Sequence, residues 1–320
     1  MDKQPLAPLA PKIYRYADID AFRSSVRHLN VEFTPLVRKI SAEQIILNLP
    51  GCDVNYTKSF PRIIDAQLCP GCTAVAFTMD DGVPIRFNGV EDVLPAITIA
   101  TGGSLYTQVE KAPRSYTSII FSPGVEDRGW PEGGPSWQFY VVGKPVQDRL
   151  RRLVLQVLAV ATEFADDLES GALAVAMRES LFAAVDTAIA DVVITPEYAR
   201  ANFSSKFKIF RDAEEALAEH YDTPIYSGEL ARQIGVSVRT LHDAILHYRG
   251  MSLHRYLRLR RLWLVRQRLL GGTQSVKSAA LAFGFWHLGD FSHNYLQQFG
   301  ETPSATLALS RSGRGPRKPS

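Results

Sequence analysis

Residues 227–248 read SGELARQIGVSVRTLHDAILHY, and this stretch decides the architecture of the last third of the chain. Ser227 is suited to cap a short helix carrying Leu230, Ala231 and Ile234, with Glu229 placed favourably in its first turn. Gly235 supplies a tight corner. Ser237 then caps a second helix, Val238 to about Tyr248, whose Leu241 and Ile245 return to the core at i, i+4. Helix, glycine turn and helix in this span form a helix-turn-helix. A helix fits the DNA major groove, and its first turns present side chains to base edges. Arg239, Thr240, His242 and Asp243 are the base-contact candidates; Arg239 has the paired donors that match guanine. Taken alone, the motif leaves an equal claim for four solvated surface side chains.

Working outward, the theme returns in residues 273–299, TQSVKSAALAFGFWHLGDFSHNYLQQF. Ser275 caps a helix with Val276, Ala279, Ala280 and Phe283 on its apolar side. Gly284 turns the chain and Phe285 plugs the corner. A further helix, about Leu288–Phe299, sets Phe291, Tyr295 and Phe299 on one face and leaves Asp290, His293, Asn294 and Gln297 elsewhere. His293, Asn294 and Gln297 are the second set of base candidates. Between the heads, residues 255–270 form a basic segment with the stripe Tyr256, Leu259, Leu262, Val265 and Leu269. Ser237, Arg255, Arg258, Arg260 and Lys277 are the phosphate candidates.

Residues 209–307 resemble the DNA-binding domain of the AraC/XylS family of bacterial regulators. The resemblance is carried in order by Leu230-Ala231, Gly235-Val236-Ser237, Thr240-Leu241, Gly250-Met251-Ser252, Tyr256-Leu257, Arg261-Leu262 and Leu269-Leu270. It continues through Ser275-Val276, Ala279-Ala280, Gly284-Phe285, Phe291-Ser292, Tyr295, Phe299-Gly300 and Thr302-Pro303-Ser304. It implies two helix-turn-helix units held by a central helix, with Val238–Tyr248 and Leu288–Phe299 entering successive major grooves. It also implies that Arg261 stitches the two units together or contacts phosphate. Trp286-His287-Leu288-Gly289-Asp290-Phe291 particularly resembles the subgroup containing the ethanolamine-utilisation regulator, which does not assign ethanolamine as an effector. Leu253 stands where the family frequently has proline, Gly289 where it has serine, and Thr306-Leu307 where it often has Tyr-Arg.

The front of the chain reads differently. Apolar runs at residues 44–49, 73–77, 96–99 and 118–121 lie between turn formers such as Pro50-Gly51, Pro70-Gly71, Asp81-Gly82, Asn88-Gly89, Gly102-Gly103 and Pro123-Gly124, with a helix expected around residues 20–29. The expected fold class is α+β: a β-rich, jelly-roll-like sensor or dimerisation domain with a helical extension, then an all-α double helix-turn-helix domain. The expected boundaries are 1–145 for the β-rich domain and 146–195 for helices that cover its core or form a dimer seam. An acidic break falls at residues 166–170. A linker at 196–208 begins at Pro196, the double motif occupies 209–307, and 308–320 forms a basic, disordered tail. Trp130, Trp137, Tyr106 and Tyr116 are wall or lid residues for a ligand cavity, or ordinary packing.

The 46% hydrophobic and 22% charged composition is that of a globular protein. The net charge of +3 hides an asymmetry: 14 Lys/Arg against 5 Asp/Glu from Tyr221 onward, a balance of +9, and −6 before it. A basic rear suits a polyanion. The N-terminal segment lacks a secretory apolar core and no apolar run approaches ~20 residues, so a cytoplasmic protein without membrane partner is expected. His28 is the one front-domain histidine, and no GxSxG, Walker or dinucleotide motif occurs, which argues against an enzyme. Cys69-Pro-Gly-Cys72 has metal or redox spacing. Structural zinc needs four ligands and Cys52 is the only further thiol, so a turn with packed thiols is favoured over zinc or a thiol switch, and no cofactor is expected. The expected partners are double-stranded promoter DNA, a second copy of the chain, a small-molecule effector and, for an activator, RNA polymerase. The alternative is a constitutive repressor or architectural protein whose front domain only dimerises.

Overall fold

The computed structural model describes residues 10–92, 95–122, 125, 128–131, 137–165, 171–192, 205–220, 223–273 and 275–311. The Pro123-Gly124 turn, the acidic break at 166–170, Pro196, most of the expected linker and residues 312–320 of the expected tail lie outside the described residues.

Twelve described strands form two antiparallel sheets. The larger has the order β1 (Lys12–Tyr16), β3 (Ala42–Leu49), β4 (Cys52–Ser59), β11 (Arg114–Phe121), β6 (Thr73–Thr78), β9 (Ala96–Thr101) and β12 (Gln138–Val141). The smaller runs β2 (Leu29–Pro35), β5 (Arg62–Leu68), β10 (Leu105–Glu110), β7 (Ile85–Phe87) and β8 (Val90–Asp92). All four apolar runs read from the sequence fall in the larger sheet, as β3, β6, β9 and β11. The jelly-roll-like expectation is corrected in one respect: both sheets are open, ending on β1 and β12 and on β2 and β8, and no closed barrel forms among the described residues. The short β7 and β8 are joined through Asn88 (φ 46°) and Gly89 (φ 86°).

Helix α1 (Ile19–Ser25) follows β1; Asp18 caps it by accepting from the Asp20 and Ala21 amides at 3.0 and 2.9 Å. Helices α2 (Lys144–Glu163) and α3 (Ala172–Ala190) lie on the larger sheet. Leu150, Val154, Val157, Met177, Leu181 and Val185 join Val54, Val75, Ile97, Ile119 and Phe121 in one core. These helices cover the sheet, the first of the two roles expected for them.

Six described helices follow: α4 (Ser205–Glu219), α5 (Ser227–Gln233), α6 (Val238–Arg249), α7 (Leu253–Leu270), α8 (Val276–Ala282) and α9 (Leu288–Phe299), with α10 (Pro303–Arg311) after them. Helix α4 starts four residues before the expected Ile209, inside the expected linker, because Phe207 is already buried in its core. Ser227 is the first residue of α5 rather than its cap; Tyr226 takes the cap position with extended backbone and no side-chain hydrogen bond. Helix α10 runs to Arg311, into the segment expected as tail, because Leu307 and Thr306 anchor it in the second head.

Candidate nucleic-acid interface

The two heads turn by the same backbone device. In the first, Gly235 (φ 72°) donates to the Arg232 carbonyl and Val236 to the Ala231 carbonyl at 2.9 Å. In the second, Gly284 (φ 74°) donates to Leu281 and Phe285 to Ala280 at 3.0 Å. Both close a helix end through a left-handed glycine, which costs little only without a Cβ. The helices that follow end alike, at Gly250 (φ 63°) and Gly300 (φ 73°).

Central helix α7 belongs to both heads. Leu253, Tyr256, Leu257 and Leu259 are buried with Leu230, Leu241 and Ile245, while Leu262, Val265 and Leu269 are buried with Phe283, Phe291 and Tyr295. Arg261 stands at the changeover. Its guanidinium lies 5.3 Å from the Tyr226 ring of the first head and 5.1 Å from the Phe285 ring of the second. Of the two roles the resemblance implied, these contacts match the stitch between units.

On α6, Arg239, Thr240 and Asp243 are exposed and His242 is half-buried. Ser237 caps this helix by accepting from the Thr240 amide at 3.0 Å, and its hydroxyl meets the Thr240 hydroxyl at 2.8 Å. On α9, His293 and Gln297 are exposed and joined at 2.8 Å; the half-buried Asn294 donates to the Asp290 carbonyl at 2.7 Å. Arg255 and Lys277 are exposed and Arg258 is half-buried. Arg260 is turned inward: it donates to Glu214 and to the Leu217 carbonyl, both at 3.2 Å.

Sequence reasoning missed how the front of the chain grips both reading helices. Arg86 donates to the His247 carbonyl at 2.8 Å, and Arg38 to the Gln297 carbonyl at 2.8 Å. A cation at a helix C-terminus complements its dipole, so one arginine serves each head. Gln298 also donates to the Pro35 carbonyl at 3.0 Å. Arg249, in the last turn of α6, is fully buried; it pairs with Asp65 of β5 and Glu214 of α4 and donates to Thr107 of β10 at 2.6 Å. Burial works against its charge, and the two carboxylates outweigh that. These partners lie far apart in sequence, and no local pattern announces them.

Tyr106, Tyr116 and Trp137 line a cavity in the front domain, whereas Trp130 packs on Phe121 and Phe182. Cys72 Sγ lies 3.7 Å from His28 Nδ1, whose other ring nitrogen is 2.8 Å from Asp53. Among the described residues, no group of three or more His, Cys, Asp or Glu could hold a metal ion. No described helix is long and apolar enough to cross a membrane.

Two braced heads, each exposing the first turns of its second helix, define a double helix-turn-helix protein. A helix-turn-helix domain model matches residues 230–308. The XylDLEGF operon transcriptional activator 3 of Pseudomonas putida is 30% identical over 118 residues, 36% of each chain. The XylDLEGF operon transcriptional activator 2 of the same organism is 31% identical over 119 residues, 36% of this chain and 76% of that one. A crystal structure of an AraC-type transcriptional regulator from Chromobacterium violaceum is 27% identical with a TM-score of 0.30, covering 32% of this chain and 92% of that one. The chain belongs to the AraC/XylS family of helix-turn-helix transcriptional regulators. The match spans 36% of the length of activator 3 and 31% of that of a probable thc operon regulatory protein of Rhodococcus erythropolis, to which the chain is 34% identical over 102 residues.

Proposed function

We propose that the chain is an effector-responsive transcriptional activator that reads promoter DNA as a homodimer. Each copy sets α6 and α9 into successive major grooves, about 34 Å apart on one face of the duplex. Arg239, Thr240, His242 and Asp243 address bases in the first groove, and His293, Asn294 and Gln297 in the second. Ser237, Arg255, Arg258 and Lys277 lie on phosphates. Arg260 serves them indirectly, by holding α7 to Glu214. The observation that carries this reading is the repetition of one glycine-cornered unit on a shared central helix, each copy exposing the polar start of its second helix.

Leu155 on α2, Phe164 just past its end and Val175 on α3, all exposed, support a dimer seam on the outer side of those helices. Upstream binding lets such a dimer contact RNA polymerase. Residues 286–291 support placing the second head in the ethanolamine-utilisation regulator subgroup, without fixing the effector. DNase footprinting on promoter DNA adjoining the chromosomal gene tests the reading. Paired protected half-sites are expected; protection no better than on random DNA overturns it.

A further inference from the structure

We infer that the cavity between the two sheets binds a small organic acid, its carboxylate on Arg114 and its compact apolar body against Phe87, Tyr106 and Trp137. This inference rests on reading the front domain as a sensor.

The head of the site is Arg114, the first residue of β11, only 5% exposed. Its Nη2 donates to the Val83 carbonyl at 3.3 Å, while Nε and Nη1 are buried without a hydrogen-bond partner among the described residues. Other buried guanidinia of the front domain have a carboxylate beside them. Arg62, whose Nε and Nη1 also lack a hydrogen bond, sits 3.3 Å from Glu110 and donates to Tyr116 at 3.1 Å. Arg151 donates to Asp81 at 2.6 Å and to the Thr78 and Asp80 carbonyls at 2.7 Å each. Glu110, which also faces the cavity, accepts from Ser59 and Gln108 and forms an ion pair with Arg62. Buried charges are normally paired, and a guanidinium with free donors offers a carboxylate a charge-assisted hydrogen bond.

The body of the site is aromatic. Tyr106 and Trp137 have ring centroids 4.6 Å apart, and Phe87 stacks on Tyr106 at 5.6 Å. The cavity holds about 120 Å³, the scale of a single ring, since an apolar cavity of about 150 Å³ takes benzene. A charged head beside apolar walls selects an acid over its neutral amide.

The test is calorimetric titration and thermal unfolding of the full chain, without DNA. The probes are phenylacetate, cyclohexanecarboxylate and hexanoate, each beside its amide, with inorganic phosphate as a head without a body. At least one acid is expected to raise Tm by several degrees and to bind ten-fold or more tighter than its amide. Arg114→Met is expected to lose that affinity ten-fold or more while its unliganded Tm stays level or rises. If Arg114→Met fails to fold, Arg114→Lys takes its place, expected to bind the acid more weakly and still prefer it to the amide. Equal binding of acid and amide, an Arg114→Met variant that binds the acid within twofold of wild type, or an Arg114→Lys variant that binds acid and amide alike overturns the inference. So does a response to phosphate equal to that of the acids, or no response to any acid. With DNA absent, failure here leaves the footprint standing, and a failed footprint leaves this result standing.

Discussion

The Arg249 guanidinium donates to both carboxylate oxygens of Asp65, at 2.7 and 3.0 Å, across 184 positions of sequence. It ties the end of the first reading helix to the smaller front sheet. Asp65 is partly open to water, and Arg249 keeps Glu214 at 3.0 Å, so the pair is not all-or-none. Asp65→Asn retains one acceptor and is expected to cost about 1.5–3 kcal/mol, the range for hydrogen bonds to charged groups. Arg249→Met removes the cation shared by both carboxylates, leaving Asp65 to water and Glu214 to Tyr256 and Arg260, and is expected to cost more. Urea unfolding followed by circular dichroism checks both; an Asp65→Asn midpoint equal to wild type would mean the tie contributes nothing in solution.

The double motif was legible because both heads rely on local signals. Ser237 and Ser275 cap, Gly235 and Gly284 turn, and apolar spacing does the rest; α9 has the bounds read from sequence. In the front domain, four strands of the larger sheet stood out because that sheet is covered by α2 and α3 on one face and the smaller sheet on the other. Strands buried on both faces read as continuous apolar runs. The smaller sheet stayed hidden: β5 mixes Arg62, Asp65 and Gln67 with Ile63 and Ile64, since its polar side chains serve buried pairs and the α6 contact. Arg260 read as a phosphate contact because its inward partner Glu214 lies 46 positions away.

Arg239 is exposed in the first turn of α6 with its fork directed by no ion pair among the described residues. If it straddles the guanine N7 and O6 edge, Arg239→Ala is expected to weaken specific binding by about 1–3 kcal/mol. Competition binding against half-sites altered at one base pair checks this. The loss should shrink wherever the contacted guanine has been replaced. Equal loss on every sequence would reassign Arg239 to phosphate.

Gly235 and Gly284 share a backbone conformation but not surroundings. A Cβ on Gly235 meets open space, whereas one on Gly284 runs into the Tyr226 hydroxyl and comes within 3.3 Å of Arg261. Gly235→Ala is therefore expected to cost about 1 kcal/mol of left-handed strain. Gly284→Ala is expected to cost clearly more and to loosen the stitch between the heads. Thermal unfolding of the two variants side by side checks the order; equal losses would show that Tyr226 moves aside freely.

His247 sits at the junction of α6 and the β7–β8 turn. Burial lowers its pKa, and the nearby Lys206 and Arg86 cations lower it further. Unfolding returns it to about 6.5, so between its native value and 6.5 the unfolded chain binds more protons. Stability from this residue is complete above pH 6.5 and declines as pH falls through that window. His247→Gln is expected to flatten the change in urea midpoint between pH 7.5 and 5.5. Parallel profiles for variant and wild type would place the acid sensitivity elsewhere.

Three cysteines give the last expectation. Cys52 and Cys72 are buried and Cys69 is exposed. Burial pushes both buried thiols up, Asp53 adding to the effect in each, and Cys69 adding further to that on Cys72. His28 stands beside Cys72 with its other nitrogen on Asp53, an arrangement that resembles a nucleophile and its base. A thiol held protonated is nevertheless slow to react, because the thiolate is the nucleophile. Titration of the folded chain with a chromogenic disulfide at pH 7.5 is therefore expected to release one equivalent quickly, lost in Cys69→Ser, with the other two appearing only on unfolding. A fast second equivalent removed by Cys72→Ser, and slowed by His28→Gln, would mean that His28 draws the proton from Cys72 and that the buried thiol is a reactive group.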